Sequence, residues 1–303
     1  MQILVTGASG HIGLAVVAQL LAAGHRVSGL ARSDASASKI REAGAAVVSA
    51  SLDDLEALRE AARAHDGVIH LAYKHDLSLS GNPEAFVTSA AHDLRAVQAI
   101  GDALAGTNKP FVTTSATALL AHAGLGRAVT EADALPSGPR IDTENATVAL
   151  AERGVRASVV RLPPTVHSSL DHRGFVPILI EHARKGGAAV YVGDGQNRWP
   201  AVHTLDAANL YCLALEKAPA GTRLHAVADE GVPFRQIAEA IGRGLGLPAK
   251  SITPPEAAPL GFVGRIAQVD NPSSASRTRE LLGWQPTRAG LLADLAERHY
   301  FEA

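Results

Sequence analysis

Short apolar runs alternate with helical patterns over the first half of the chain. Ile3, Leu4 and Val5 form the first run, which predicts a strand buried on both faces. Ile12, Val16, Val17, Leu20 and Leu21 then follow the spacing of an amphipathic helix. The pairing recurs, with strands expected over 27–31, 46–48, 67–72, 110–114 and 157–161. Helices are expected over 35–43, 55–64, 83–105 and 142–153. Strand and helix alternating in this way predict an α/β fold built on a doubly wound parallel sheet. Beyond residue 166 the pattern is less regular. Helices fit 175–185, 207–217 and 234–245, a strand and tight turn fit 190–195, and 253–259 reads as a linker rich in Pro and Ala.

The first strand and first helix are joined by Gly7-Ala-Ser-Gly10-His-Ile-Gly13. Glycines at this spacing suit a dinucleotide pyrophosphate. The first permits a tight turn, the second lets phosphate approach the backbone, and the third lets helix and strand pack closely. The phosphate charge would lie at the helix N-terminus, where unpaired N–H groups favour an anion. Ser9, His11 and Ile12 lie in the same turn and are expected to line it. The second strand ends in Ala31-Arg32-Ser33-Asp34. An acidic residue there would select NAD through the ribose hydroxyls, whereas Arg32 and Ser33 suit the 2′-phosphate of NADP. NADP is therefore expected, with NAD as the alternative; the competing reading is a solvated Arg32 with Asp34 as the cap of the next helix.

The spacing T-G-x-x-G-x-x-G resembles the extended and atypical short-chain dehydrogenase/reductases, a family that includes sugar-nucleotide epimerases and dehydratases. Further segments carry the resemblance over nearly the whole chain. Val68-Ile-His70-Leu71-Ala72 resembles the family's V-x-H-L-A, which lies along the cofactor. Ser115 falls on the catalytic serine at the end of the fifth strand. Arg161-Leu162 through His167 resembles R-x-x-x-V-x-G, which closes over the nicotinamide. Residues 197–208 resemble the element F-V-H-V-D-D-V-A, and 282–286 the L-G-W-x-P near the C-terminus. The resemblance implies that Asp53, Leu71, Ala72 and Leu162 contact the cofactor; Asp53 is otherwise the cap of the helix at 55–64. It further implies a Rossmann-type domain over 1–165, to which the chain returns at about 200–220, and a smaller substrate-binding region over 166–303. Dimers are common in that family, so a homodimer is among the expectations.

The family's Y-x-x-x-K pair is missing. Its register falls on Arg140 and Glu144, which read as an i,i+4 pair on a helix surface. An arginine is too basic for acid/base work near neutrality. The proton donor is then sought in the run Tyr73-Lys74-His75-Asp76, at the carboxyl end of the fourth strand. His75 titrates in a useful range, and Tyr73 could donate if Lys74 lay beside it. His167, His172 and His203 come from loops that the family places around substrate. Arg198 and Trp199 follow a Gly-rich turn and would lie in a cleft between the two regions, with packing of Trp199 in a core as the equal alternative.

Composition adds mainly exclusions. The 303 residues carry a net charge of −2, which leaves no footprint for nucleic acid. One cysteine, Cys212, allows no intrachain disulfide and fits a packed thiol. No His or Cys spacing suggests a metal. No apolar run reaches the length of a membrane span, and a strand begins at once where a signal peptide would lie, so the cytoplasm is expected. The expectation is an NAD(P)-dependent oxidoreductase of the atypical short-chain type, reducing a carbonyl or related double bond of a small organic substrate. The alternatives are a non-catalytic NADP(H) sensor and a sugar-nucleotide-type epimerase or dehydratase.

Overall fold

Ile3, Leu4 and Val5 are fully buried because a strand pairs with β1 (Gln2–Thr6) on each side and helices cover both faces. The computed structural model describes residues 1–75, 82–121 and 123–302. Asp76 therefore lies outside the described residues. After β1 come α1 (His11–Ala22), β2 (Arg26–Ala31), α2 (Asp34–Glu42), β3 (Ala46–Ser49) and α3 (Leu55–Ala64). Then follow β4 (Gly67–His70), α4 (Pro83–Leu104), β5 (Pro110–Ala116), α5 (Ile141–Ala149) and β6 (Arg156–Leu162). The remainder supplies β7 (Thr165–His167), α6 (Phe175–Gly186), β8 (Ala189–Val192), β9 (Arg198–His203) and α7 (Thr204–Lys217). Last are β10 (Thr222–His225), β11 (Asp229–Pro233), α8 (Phe234–Leu245) and β12 (Ala249–Ile252), with short helical turns beyond.

The main sheet has seven strands in the order β10-β6-β5-β4-β1-β2-β3, all parallel. The strand order reverses between β1 and β4, and in such sheets ligands collect at the carboxyl ends of the strands beside that point. One face is covered by α1 and α7, whose Val16, Val17, Leu20, Tyr211 and Leu215 form one core with the sheet. The other is covered by α3 and α4 through Leu58, Ala96, Val97 and Ile100. A separate core joins α6 and α8 to β9 through Ile180, Trp199, Phe234 and Ile241. Two small sheets, β11-β9-β7 and β12-β8, complete the fold.

The differences from expectation have local causes. β10 was not foreseen, because Thr222-Arg-Leu-His is a short, polar edge strand with no apolar run. β7 lies inside the segment 162–167, where the two prolines before it break any strand pattern. The presumed linker is helical: Thr253 and Glu256 form a reciprocal capping box around a turn that starts with proline. Ser33, not Asp34, caps α2, accepting from Ser36 N. Asp54, not Asp53, caps α3. Trp284 of the L-G-W-x-P segment is fully buried and donates to Asp206 O at 3.1 Å, tying the C-terminal segment to α7. Cys212 is buried on α7, which pushes its thiol up to about 12.

Candidate active site

The turn after β1 is shaped by what its glycines lack. Gly7 has φ +69°, and a Cβ there would stand 2.8 Å from Ala72 N and 2.9 Å from the Leu71 carbonyl carbon. A Cβ on Gly13 would meet Gly7 O at 2.1 Å, so α1 packs against the turn only because that atom is missing. Gly10 caps α1 without a side chain, and the first turn of α1 holds no acid. Its N-terminal amides and dipole are thus left to an anion. The cradle fits a dinucleotide pyrophosphate. Ser9, His11 and Ile12 are partly exposed along it. His11 Nε2 bonds Thr204 Oγ1 at 2.6 Å, which brings the N-terminus of α7 against that of α1. Burial, helped by His172, His167 and His203, lowers His11 to about 4, so the imidazole is neutral near pH 7.

On the adenosine side Ala31 is buried, and Arg32 and Ser33 are exposed just beyond β2. Asp53 faces the same edge but is engaged. Lys74 Nζ donates to both its oxygens at 2.8 Å, and His92 Nδ1 lies 2.7 Å away. The lysine, foremost, keeps the Asp53 carboxyl below its usual range.

At the carboxyl ends of β4 and β5 a second set of groups gathers. Below them, buried His70 links Thr6 Oγ1 at 2.8 Å to Asp93 Oδ1 at 3.2 Å, and Thr6 Oγ1 accepts from Ala72 N. This chain fixes the end of β4 against β1. Ser115 is 3% exposed, and its Oγ has no hydrogen-bond partner. The hydroxyl faces Glu144 and favours its ionised form without reaching normal hydrogen-bond geometry. Tyr73 Oη is likewise buried and unpartnered. Lys74 does not lie beside it; that side chain goes to Asp53. Instead the Arg140 guanidinium stands over the Tyr73 ring, 4.2 Å from its centroid, and donates to Thr114 O at 3.2 Å. Thr114 Oγ1 in turn joins His70 O and Tyr211 Oη, each at 2.8 Å. His75 is exposed and meets Tyr73 edge-on, with centroids 5.1 Å apart.

Arg140 and Glu144 do not pair with each other. Glu144 is 2% exposed and accepts from Arg161 Nε at 3.0 Å and Arg223 Nε at 2.7 Å. Burial alone would raise its carboxyl; the bonds from Arg161 and Arg223 outweigh that and lower it. Arg161 is itself fully buried, reaching His225 Nε2 and Asp133 O as well. The position of the family's lysine thus holds a structural ion pair, and the position of its tyrosine holds a cation aimed into the site. Only the missing Y-x-x-x-K register hinted at either.

The residues expected around substrate divide. His167 is fully buried, with Nδ1 on Asp294 Oδ2 at 2.8 Å and Nε2 unpartnered. His203 meets it edge-on at 5.6 Å and caps α7 by accepting from Leu205 N. With His11 and Asp171 they form a cluster against the glycine turn. Arg198 is bound to Asp270, Nε to Oδ1 at 3.0 Å and a terminal nitrogen to Oδ2 at 2.8 Å. Trp199 does not line a cleft: it is 1% exposed, packed between Phe175 and Phe234. Its strand turns Trp199 and Ala201 toward the core of α6 and α8. Among the described residues, no group of three or more His, Cys, Asp or Glu is placed to hold a metal ion. No helix there is long and apolar enough to cross a membrane.

A seven-stranded doubly wound sheet with a glycine cradle at its reversal point defines a Rossmann-type dinucleotide-binding protein. The particular family follows from comparison. The model of the NAD dependent epimerase/dehydratase family matches residues 3–227, and the chain belongs to that family. It is 46% identical to an uncharacterized protein of Schizosaccharomyces pombe, C2A9.02, over 99% of this chain and 100% of that one. It is 28% identical to 2′-dehydrokanamycin reductase of Streptomyces kanamyceticus over 84% of this chain and 70% of the other. Among solved structures, UDP-glucose 4-epimerase of Thermotoga maritima superposes with a TM-score of 0.79 at 20% identity, covering 99% of this chain and 98% of its own. That last likeness establishes the shared fold.

Proposed function

We propose that the chain is an NAD(P)H-dependent reductase acting on a carbonyl, or a related double bond, of a small organic substrate. The observation that carries this reading is Ser115 Oγ, buried and without a hydrogen-bond partner at the carboxyl end of β5. A buried hydroxyl without a well-formed bond is costly, and a substrate oxygen would complete it. The resemblance to the short-chain family puts at this position the serine that bonds the reacting oxygen. A reductase among the relatives supports the same direction of chemistry. When bound, the reduced nicotinamide supplies the hydride. The chain's own residues hold and orient. The Gly7–Gly13 turn and the N-terminus of α1 take the pyrophosphate, Leu71, Ala72 and Leu162 flank the cofactor, and Ser115 fixes the substrate oxygen. Removing Ser115 from a formed site should lower kcat by about 100-fold, the scale of one oxyanion donor. Steady-state rates of Ser115→Ala, with NADPH binding checked separately, test this; an unchanged rate would remove the role.

NADP(H) is the proposed cofactor, through Arg32 and Ser33 at the end of β2. Calorimetric titration with NADPH and NADH should show tighter NADPH binding in the native chain. Arg32→Ala should erase about 1–3 kcal/mol of that preference, the worth of a charge-assisted bond to phosphate. Equal affinities in the native chain would point to NAD instead. Tight binding of either cofactor with no turnover of any carbonyl would favour the sensor.

A further inference from the structure

Tyr73 and Arg140 are joined by geometry that the fold alone does not require. Arg140 is a non-glycine residue at φ +65°, left-handed, at the start of α5. That conformation disfavours side chains with a Cβ, and such strain persists where surrounding contacts hold it. Two contacts hold it here, the bond to Thr114 O at 3.2 Å and the stacking over Tyr73 at 4.2 Å. Both aim the guanidinium at the ends of β4 and β5. Its Nε is buried without a partner, as is Tyr73 Oη. Ser115 Oγ, at the carboxyl end of β5, is a third buried polar atom without a partner.

We propose that Tyr73 is the proton donor of this site and that Arg140 is the cation that steadies the phenolate it leaves. The assignment rests on the reading of the chain as a reductase. It moves both parts of the family's pair: the phenol comes from the end of β4, and the cation stands at the position that otherwise holds the phenol. The step balances as follows. The carbonyl carbon gains a hydride, with its electron pair, from the reduced nicotinamide, which is thereby oxidised. As the C=O π bond opens, the carbonyl oxygen takes the proton of Tyr73 Oη, giving an alcohol. The Tyr73 phenolate then recovers a proton from water. Ser115 Oγ orients the same oxygen throughout.

The charges around the ring fit a loaded donor. Burial raises the Tyr73 phenol, Arg140 opposes this, and Asp93 adds to it, so the hydroxyl keeps its proton near neutrality. His75 faces the ring edge, and Lys74 is drawn off to Asp53 and His92. Among the described residues, Arg140 is the cation that stands over the ring. Guanidinium over an aromatic face is attractive for the neutral phenol and more so for the phenolate.

Three variants of the full chain test the assignment: Tyr73→Phe, Arg140→Gln and Arg140→Lys. Tyr73→Phe should lower kcat for carbonyl reduction by about 100-fold or more, the low end of general acid catalysis, while calorimetric NADPH affinity stays within about threefold. A second readout needs no substrate. The phenolate absorbance assigned to Tyr73, by difference from Tyr73→Phe, should move about one unit to higher pH in Arg140→Gln and partly return in Arg140→Lys. A phenol titration indifferent to Arg140, or Tyr73→Phe with kcat within about twofold of the parent, overturns the assignment and leaves the reductase standing. A native chain that binds NADPH and reduces no carbonyl overturns both.

Discussion

Glu144 stands in the register of the family's lysine, yet its work in this chain is structural. Its carboxylate is buried between two arginines from distant segments, and removing it strands both charges. Breaking a buried pair on one side costs about 3–5 kcal/mol, so Glu144→Ala should lose that much unfolding free energy in urea. The pH sense follows from its lowered carboxyl. The contribution is complete above the unfolded carboxyl range and is lost as pH falls through the folded value. A loss in Glu144→Ala that stays constant down to acid pH would show that the carboxylate is not the stabilising species. From the sequence, Arg140 and Glu144 looked like neighbours on a helix surface. The four-residue spacing holds, but the partners lie elsewhere, because Arg161 and Arg223 reach Glu144 across 17 and 79 positions of chain. Local pattern carries no trace of such pairs. The position of Ser115 near the end of β5, by contrast, follows from where an apolar strand ends.

Elements were legible where one force set them. β1 and β4 to β6 are apolar runs because helices cover both sides, and the glycine turn could be placed because only glycine fits its approaches. Elements set by pairing with distant strands were missed, notably β7 and β10. Trp199 shows the same limit at the scale of a strand. Its neighbour Arg198 faces solvent and Asp270, while the indole turns inward against Phe175 and Phe234. A Gly-rich turn before an aromatic looks the same in sequence whether the ring lines a cleft or fills a core. Truncation separates the two. Trp199→Ala should cost about 3–5 kcal/mol in denaturant unfolding, as large aromatic-to-alanine changes in cores do. NADPH affinity measured on the folded fraction should be unchanged. A variant of parental stability with weakened substrate binding would restore the cleft assignment.

At the scale of the whole molecule, the sheet and the C-terminal region meet on a seam of ionisable groups beside the cofactor turn. His11 Nδ1 lies 3.8 Å from Asp171 Oδ1, and Ser168 links the same seam to Thr204 and Tyr300. The two titrating groups pull stability in opposite directions. His11 falls from 6.5 to about 4, chiefly through burial, so the unfolded chain takes the proton first and stability grows as pH rises across that window. Asp171 rises from 3.8 to about 6, also chiefly through burial, so the folded chain keeps the proton longer and stability declines as pH rises across nearly the same window. Each effect is about 2 kcal/mol once water access is allowed for, and in the native chain they nearly cancel. Single variants should expose them. Asp171→Asn can still accept from Gly174 N and Arg173 N, the bonds the carboxylate now takes. Its stability relative to the parent should rise between about pH 4 and pH 6. His11→Gln should show the reverse, gaining on the parent at acid pH and losing that gain toward neutrality. Urea midpoints at closely spaced pH values would measure both. Slopes of the same sign in the two variants would mean that the seam titrates as a single unit, and that the opposition between His11 and Asp171 does not exist.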